Sequence, residues 1–309
     1  METEIRRILL ATDGSDDAEA ATLAAADLAK RTGAALHIAQ VWMPPLAVGA
    51  FPYPAFPLEA YIEQVKEQAG VVLQRAEAQV MAAGGTVAAL HLRAGQPATE
   101  LVALSEELAA DLIITGSRGH GPVRRLVLGS VSSGLVHHAT RPVLVIRGEP
   151  VAWPPAQIVS GDDGSVTAGV AAQLAAHLGA CCDLPVTLVH AEPALAGQAP
   201  GDNKDRARAL RQSVTMLERR ARGLEPGPER RLRIKVVAGD PAEALLSTAA
   251  GRGPALIVVG SRGLGLVDRL RLGSVSNTLL HSASDPVLIV PPEWGRVRSR
   301  LTTLEPVSA

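Results

Sequence analysis

The chain has 309 residues, 47% of them hydrophobic and 20% charged, with a net charge of −1 from 30 basic and 31 acidic side chains. That balance excludes a disordered chain and argues against an electrostatic binder of nucleic acid or of an anionic membrane. No stretch of about 20 apolar residues lacks charge, so no membrane span is expected.

Apolar strands and alanine-rich helices alternate along the whole chain. In the first half, strand Arg7–Thr12 runs into D-G-S and a helix over Asp16–Arg31, followed by strand Leu36–Val41. A long loop and a helix over Leu58–Ala83 lead to strand Val87–Arg93, then A-G-x-P and a helix over Ala98–Ala109. Strand Leu112–Gly116, a glycine loop, helix Ser130–His138 and strand Val143–Arg147 close the half.

The second half repeats this plan. Strand Gln157–Ser160 leads into D-G-S and a helix to about Leu178, then strand Pro185–His190 and a basic helix over Lys204–Arg222. Strand Leu232–Val237, A-G-D-P and helix Ala242–Ala250 follow. Strand Leu256–Gly260, a second glycine loop, helix Ser274–His281 and strand Val287–Val290 complete it. Continuously apolar, β-branched runs such as LIITG and VLIVP read as strands buried on both faces of a parallel sheet. Alternating β and α units predict an α/β, doubly wound, Rossmann-like architecture with right-handed crossovers. The units expected are residues 1–147 and 156–291, joined by a proline-rich linker at 148–155 and followed by a tail at 292–309.

The doubled motif carries the chemistry. GSRGHGPVRRLVLGSVS at residues 116–132 returns as GSRGLGLVDRLRLGSVS at 260–276. Each copy follows an apolar strand, so each lies on the carboxyl edge of the sheet, where ligands bind in open α/β folds. Glycines let backbone N–H groups approach an anion. Gly129 and Ser130 open a helix whose N-terminus favours negative charge, with Ser130 as the expected N-cap. The hydroxyls of Ser130 and Ser132 are placed to reach phosphate oxygens. Asp13 and Asp163, at the tips of the first strands, are placed to accept from ribose hydroxyls or to help hold Mg²⁺. Neither a Walker loop nor the dinucleotide fingerprint is present.

D-G-S after the first strand, A-G-x-P after the third and G-2x-G-9x-G-[ST] after the fourth resemble the universal stress protein family, in its tandem-domain, ATP-binding form. The resemblance covers about residues 5–147 and 156–291. It implies five parallel strands per domain in the order 3-2-1-4-5, ATP lying across strands one and four, and pairing of the domains through their last strands. The first site would use Ala11, Asp13 and the adenine-contacting Val41. Gly116, Ser117, Arg118, Gly119, Gly129, Ser130, Val131 and Ser132 would form its phosphate and ribose loop. The second would use Gly161, Asp163, Ala191, Gly260, Ser261, Arg262, Gly263, Gly273, Ser274, Val275 and Ser276. Two departures predict unequal sites with the first tighter: Ala191 is smaller than Val41, and Asp268 stands where the first copy has Arg124.

Other features have plainer readings. Trp42, Phe51, Tyr53, Phe56 and Tyr61 cluster with Pro44, Pro45, Pro52, Pro54 and Pro57, as a surface loop or a lid over the first adenine. The basic helix RARALRQSVTMLERRARG reads as a solvated face. His137, His138, His190 and His281 read as helix-face or helix-end histidines. Cys181 and Cys182 read as small residues at a buried turn, since adjacent cysteines rarely pair. The opening METEIRRILLATD is broken by Asp13 and lacks a signal-peptide core, so a cytoplasmic location is expected.

The function expected from the resemblance is an ATP-binding regulator of stress or growth arrest, with Mg²⁺ as cofactor, slow hydrolysis at most, and a protein partner or second copy. Two alternatives remain at this stage. One is an adenine-nucleotide α-hydrolase-like enzyme, suggested by SGDDGS at 160–165. The other is a nucleotide-free scaffold dimerising through edge strands.

Overall fold

The computed structural model describes residues 4–44, 58–119, 128–147, 153–192, 203–224, 232–263 and 272–294. The first half runs β1 (Arg7–Ala11), α1 (Asp16–Thr32), β2 (Ala35–Trp42), α2 (Leu58–Ala82), β3 (Ala89–Ala94), α3 (Pro97–Glu107), β4 (Leu112–Gly116), α4 (Ser130–His138) and β5 (Val143–Ile146). The second runs β6 (Gln157–Gly161), α5 (Val166–Cys182), β7 (Val186–Glu192), α6 (Asn203–Arg222), β8 (Leu232–Ala238), α7 (Pro241–Ala249), β9 (Ala255–Gly260), α8 (Ser274–Ser282) and β10 (Val287–Val290).

The strands form one ten-stranded sheet in the order β3-β2-β1-β4-β5-β10-β9-β6-β7-β8. Neighbours within each half are parallel, and β5 pairs with β10 antiparallel, with Leu144 opposite Leu288. β4, β5 and β10 are buried throughout, which is why their sequences are continuously apolar. Edge strands β3 and β8 carry only partly buried and exposed positions.

Side-chain alternation divides the core between the two faces of the sheet. Ile8, Leu10, Ile114, Leu144 and Leu288 pack with α1, α2, α5 and α6. Leu9, Ile113, Val145, Val287 and Ile289 pack with α3, α4, α7 and α8. A strand residue and its successor point to opposite faces, so one apolar run serves both layers.

Helix starts follow local chemistry. Ser15 and Ser165 cap α1 and α5 by accepting from Ala18 N and Ala168 N. Asp240 caps α7, with Pro241 at its first position.

Three readings need correction. α5 extends a full turn beyond Leu178, so Cys181 and Cys182 end a helix rather than occupy a turn. Cys182 is buried there, and burial pushes its thiol up to about 11, which leaves little thiolate for redox chemistry. Within the expected tail, Trp294 is fully buried beneath the Arg141 guanidinium, 5.8 Å from its ring centroid. Trp153 of the expected linker also packs on the core, with its indole N–H 3.2 Å from Asp27 Oδ2.

Candidate functional site

D-G-S and the glycine loop meet at the carboxyl edge of each half. In the first, the Asp13 carboxylate closes a tight turn: Oδ1 accepts from Ser15 N at 3.0 Å and from Ser15 Oγ at 2.6 Å. Asp163 repeats the bond from Ser165 N at 3.0 Å. Gly14 and Gly164 sit at φ of +78° and +85°, a region that disfavours side chains. The other carboxylate oxygen of each aspartate lies against the second glycine of the loop. A Cβ at Gly119 would collide with Asp13 Oδ2, and one at Gly263 with Asp163 Oδ2. G-x-x-G is therefore needed for the strand-one aspartate to face the loop backbone.

The first glycine is also fixed by packing. A Cβ on Gly116 would stand 2.7 Å from the Asp17 carbonyl carbon. On Gly260 it would stand 2.8 Å from Thr167 Cγ2.

The far end of the loop corrects the expected serine roles. Gly129, not Ser130, is the N-cap of α4, and Gly273 caps α8 in the same way. Glycine has no side chain to cap with, so among the described residues the first-turn amides of both helices are offered to a ligand or solvent. Ser132 Oγ donates to Gly116 O at 2.7 Å, and Ser276 Oγ to Gly260 O at 2.7 Å. Both serines are buried. Their hydroxyl protons hold the loop to the strand end, whereas Ser130 and Ser274 are exposed at the helix mouth.

A cavity opens at each of these edges. The first, about 310 Å³, is lined among others by Ala11, Asp13, Val41, Gly116, Arg118, Gly119, Gly129, Ser130, Val131 and Ser132. The second, about 780 Å³, is lined among others by Gly161, Asp163, Ala191, Gly260, Arg262, Gly263, Gly273, Ser274, Val275 and Ser276. Of the expected site residues, only Ser117 and Ser261 are absent from the cavity walls; both are buried behind the loop. Arg124, Asp268 and the aromatic residues Phe51, Tyr53 and Phe56 lie outside the described residues.

Several wall residues lie outside the expected site. Leu101 and Pro97 form the apolar side of the first cavity, and Leu245 and Pro241 that of the second. A-G-x-P, which starts α3 and α7, was the signal that could have found them. Gln40 and His190 take matching places at the ends of β2 and β7.

Electrostatics separates the halves. Arg118 pairs with Asp17 through Nε and Nη2, each at 3.1 Å, and Ser117 Oγ donates to the same carboxylate at 2.6 Å. Arg147 is buried nearby. Desolvation pushes its guanidinium pKa down, Arg118 adds repulsion, and Asp17 opposes both. The second half has Thr167 in place of Asp17 and moves the carboxylate to Asp162. There Arg220 of α6 donates from Nε at 2.7 Å and Nη2 at 3.3 Å, and also to Ser165 O at 3.0 Å. Gly164 N and the Asp162 carbonyl's partner, His190 Nδ1 at 2.7 Å, complete that network. The reading of the basic helix as a solvated face is corrected at Arg220, which turns inward; Arg208, Arg211 and Arg219 are exposed as expected. Arg262 instead faces Glu293 at 3.5 Å.

Among the described residues no helix is long and apolar enough to cross a membrane, and no group of three or more His, Cys, Asp or Glu could hold a metal ion. A metal at either cavity would therefore need oxygens from its ligand beside Asp13 or Asp163.

Comparison with known proteins agrees with this architecture. The model of the universal stress protein family matches residues 4–147 and again 156–291. Universal stress protein Rv1996 of Mycobacterium tuberculosis is 33% identical, with 91% of this chain and 94% of that protein aligned. A universal stress protein of Mycolicibacterium smegmatis is 30% identical over 92% of this chain and 97% of its own. The crystal structure of a universal stress protein from Archaeoglobus fulgidus superposes with a TM-score of 0.67 at 22% identity, covering 93% of this chain and 98% of that one.

Proposed function

Since this chain belongs to the universal stress protein family, we propose that it is a cytoplasmic ATP-binding regulator of the stress or growth-arrest response, with one nucleotide site in each half. The two matched segments are the two units, and residues 148–155 join them. The observation that carries this reading is the duplicated cradle. In each half a glycine whose Cβ would strike the strand-one aspartate faces an uncapped helix N-terminus across a cavity.

The cradle suits a nucleotide triphosphate. First-turn amides of α4 and α8 supply donors to phosphate oxygens. Val41 and Leu101, or Ala191 and Leu245, supply an apolar floor for the base. The Oδ2 atoms of Asp13 and Asp163 can accept from ribose hydroxyls or join a phosphate-bound Mg²⁺. Oδ1 of Asp13 and of Asp163 is already engaged by the Ser15 and Ser165 amides, so the chain binds and orients phosphate without a strong general base, and hydrolysis is slow. At the base, contact favours the first site, because Val41 covers more of it than Ala191 does. Nucleotide occupancy is read out by a protein partner or a second copy.

Isothermal titration with Mg·ATP tests this, using Gly129→Glu and Gly273→Glu to place a carboxylate at one helix mouth at a time. Two binding events in the parent chain, one in each single variant and none in the double variant are expected. Full ATP binding by the double variant would remove the loops as the site. Formation of AMP and pyrophosphate on incubation would replace the regulator with an α-hydrolase.

A further inference from the structure

Helix α4 has an end at each cavity. Its first residues, Gly129 to Ser132, line the first cavity, while His137 in its last turn lines the second. The antiparallel β5–β10 pair explains this. It sets the carboxyl edges of the two halves on opposite ends of the sheet. A helix that starts at the carboxyl edge of the first half therefore finishes at the carboxyl edge of the second. Nine residues span about 13 Å, which is enough to do so.

The imidazole of His137 has its nitrogens differentiated. Nδ1 lies 2.8 Å from the Ser133 carbonyl oxygen. A carbonyl only accepts, so Nδ1 carries a proton, and Nε2 is the nitrogen open to a ligand. The ring is exposed at the cavity rim. It lines the same cavity as Arg262 and as Ser274 and Asn277 of the first turn of α8. Among the described residues the first cavity is lined by the first half alone.

We infer that the second site is composite: the first half contributes His137, whose Nε2 binds the polyphosphate of the nucleotide held by the second half. This rests on the nucleotide reading above. As the imidazolium, Nε2 donates to a phosphate oxygen in a charge-assisted bond while Nδ1 remains on Ser133. Phosphate seated at the second site thus touches the same nine-residue helix whose N-terminus forms the first.

The test uses the full chain carrying Val41→Trp, which fills the adenine end of the first cavity and leaves α4 intact. In this background His137→Ala is expected to weaken ATP binding about five- to tenfold, and His137→Gln, which keeps a donor, only about twofold. In ¹³C-histidine-labelled protein the Cε1 resonance of His137, assigned by its loss in His137→Gln, should move on adding ATP and stay still on adding adenosine. A structural role alone would lower the melting temperature without moving either readout. An unchanged Kd with a still resonance overturns the inference while leaving the second site standing. Loss of ATP binding by the Val41→Trp chain, with Gly273→Glu still binding, overturns the second site and the inference together.

Discussion

The two halves share a loop and differ in how they anchor it. In the first, the fixed carboxylate is Asp17 on the opening turn of α1, and it takes its arginine from the loop itself. In the second it is Asp162 at the end of β6, and its arginine, Arg220, arrives from α6. One half holds its loop arginine against the scaffold. The other braces the strand end from a helix and leaves Arg262 to meet Glu293 at 3.5 Å. Duplicated motifs therefore specify a shared backbone cradle, while the charge balance around each cradle is set by residues outside the motif.

The largest test of that difference is removal of the two arginines. Arg220→Met leaves the Asp162 carboxylate, whose side chain is fully buried, without its cation. A loss of about 3 kcal/mol in urea denaturation is expected. Arg118→Met should cost about 1 kcal/mol, because Asp17 keeps the Ser117 hydroxyl and lies in a helix first turn where negative charge is favoured. Equal losses would erase the distinction.

Ser132→Ala and Ser276→Ala should each destabilise by about 1 kcal/mol, since each removes the hydroxyl that donates to the carbonyl of the first loop glycine. Thr115 Oγ1 also donates to Gly116 O at 3.2 Å, whereas Val259 stands at the matching place before Gly260, so the loss at Ser132 should be the smaller. Equal losses in thermal melts would show that Thr115 adds nothing to the first cradle.

The base-floor difference can be exchanged. Val41→Ala should weaken ATP binding at the first site and Ala191→Val should tighten it at the second, each by a few-fold, as about 0.8 kcal/mol per buried methylene implies. Titrations in which neither affinity moves would remove the base floor as a source of asymmetry.

The smallest effect is a slope with pH. His37 Nδ1 and His91 Nε2 lie 3.1 Å apart on β2 and β3, and the second half has Thr187 and Lys235 at the corresponding places. Burial lowers both histidine pKa values, and the neighbouring positive groups lower them further: His91 and Arg7 for His37, Arg93 for His91, with Glu107 opposing. With folded values below the unfolded 6.5, the native state binds fewer protons than the unfolded state as pH falls through this range. This contribution is present above about pH 6.5 and declines below it. Melting temperature should drop from pH 7 to 5, and His37→Thr should flatten that drop. An unchanged profile would remove the pair from the balance.

Much of the fold was legible because its signals are local. Helix α4 was placed at Ser130–His138 and β10 at Val287–Val290, since a buried strand and a glycine-to-serine helix start both announce themselves within a few residues. The walls built from Asp13, Gly119, Gly129 and their partners in the second half followed from loop chemistry next to a strand end. What escaped were choices between similar side chains. Nothing in RARALRQSVTMLERRARG distinguishes Arg220 from Arg219, because only the angle at which α6 packs decides which one meets Asp162. Ser132 and Ser130 look alike in GSVS, yet helix rotation buries one against Gly116 and exposes the other. Trp294 lay in what read as a tail, and only the cap it forms with Arg141 gives it a place in the core.

By itself the sequence determined a doubled α/β unit with a glycine loop at each carboxyl edge. Hydrophobic runs, turn glycines and helix caps act over distances of a few residues. Tertiary structure decided which carboxylate each arginine meets, and that His137 of the first half enters the wall of the second cavity. The first depends on how helices pack within each half, and the second on the antiparallel meeting of β5 and β10, which turns the two halves head to tail.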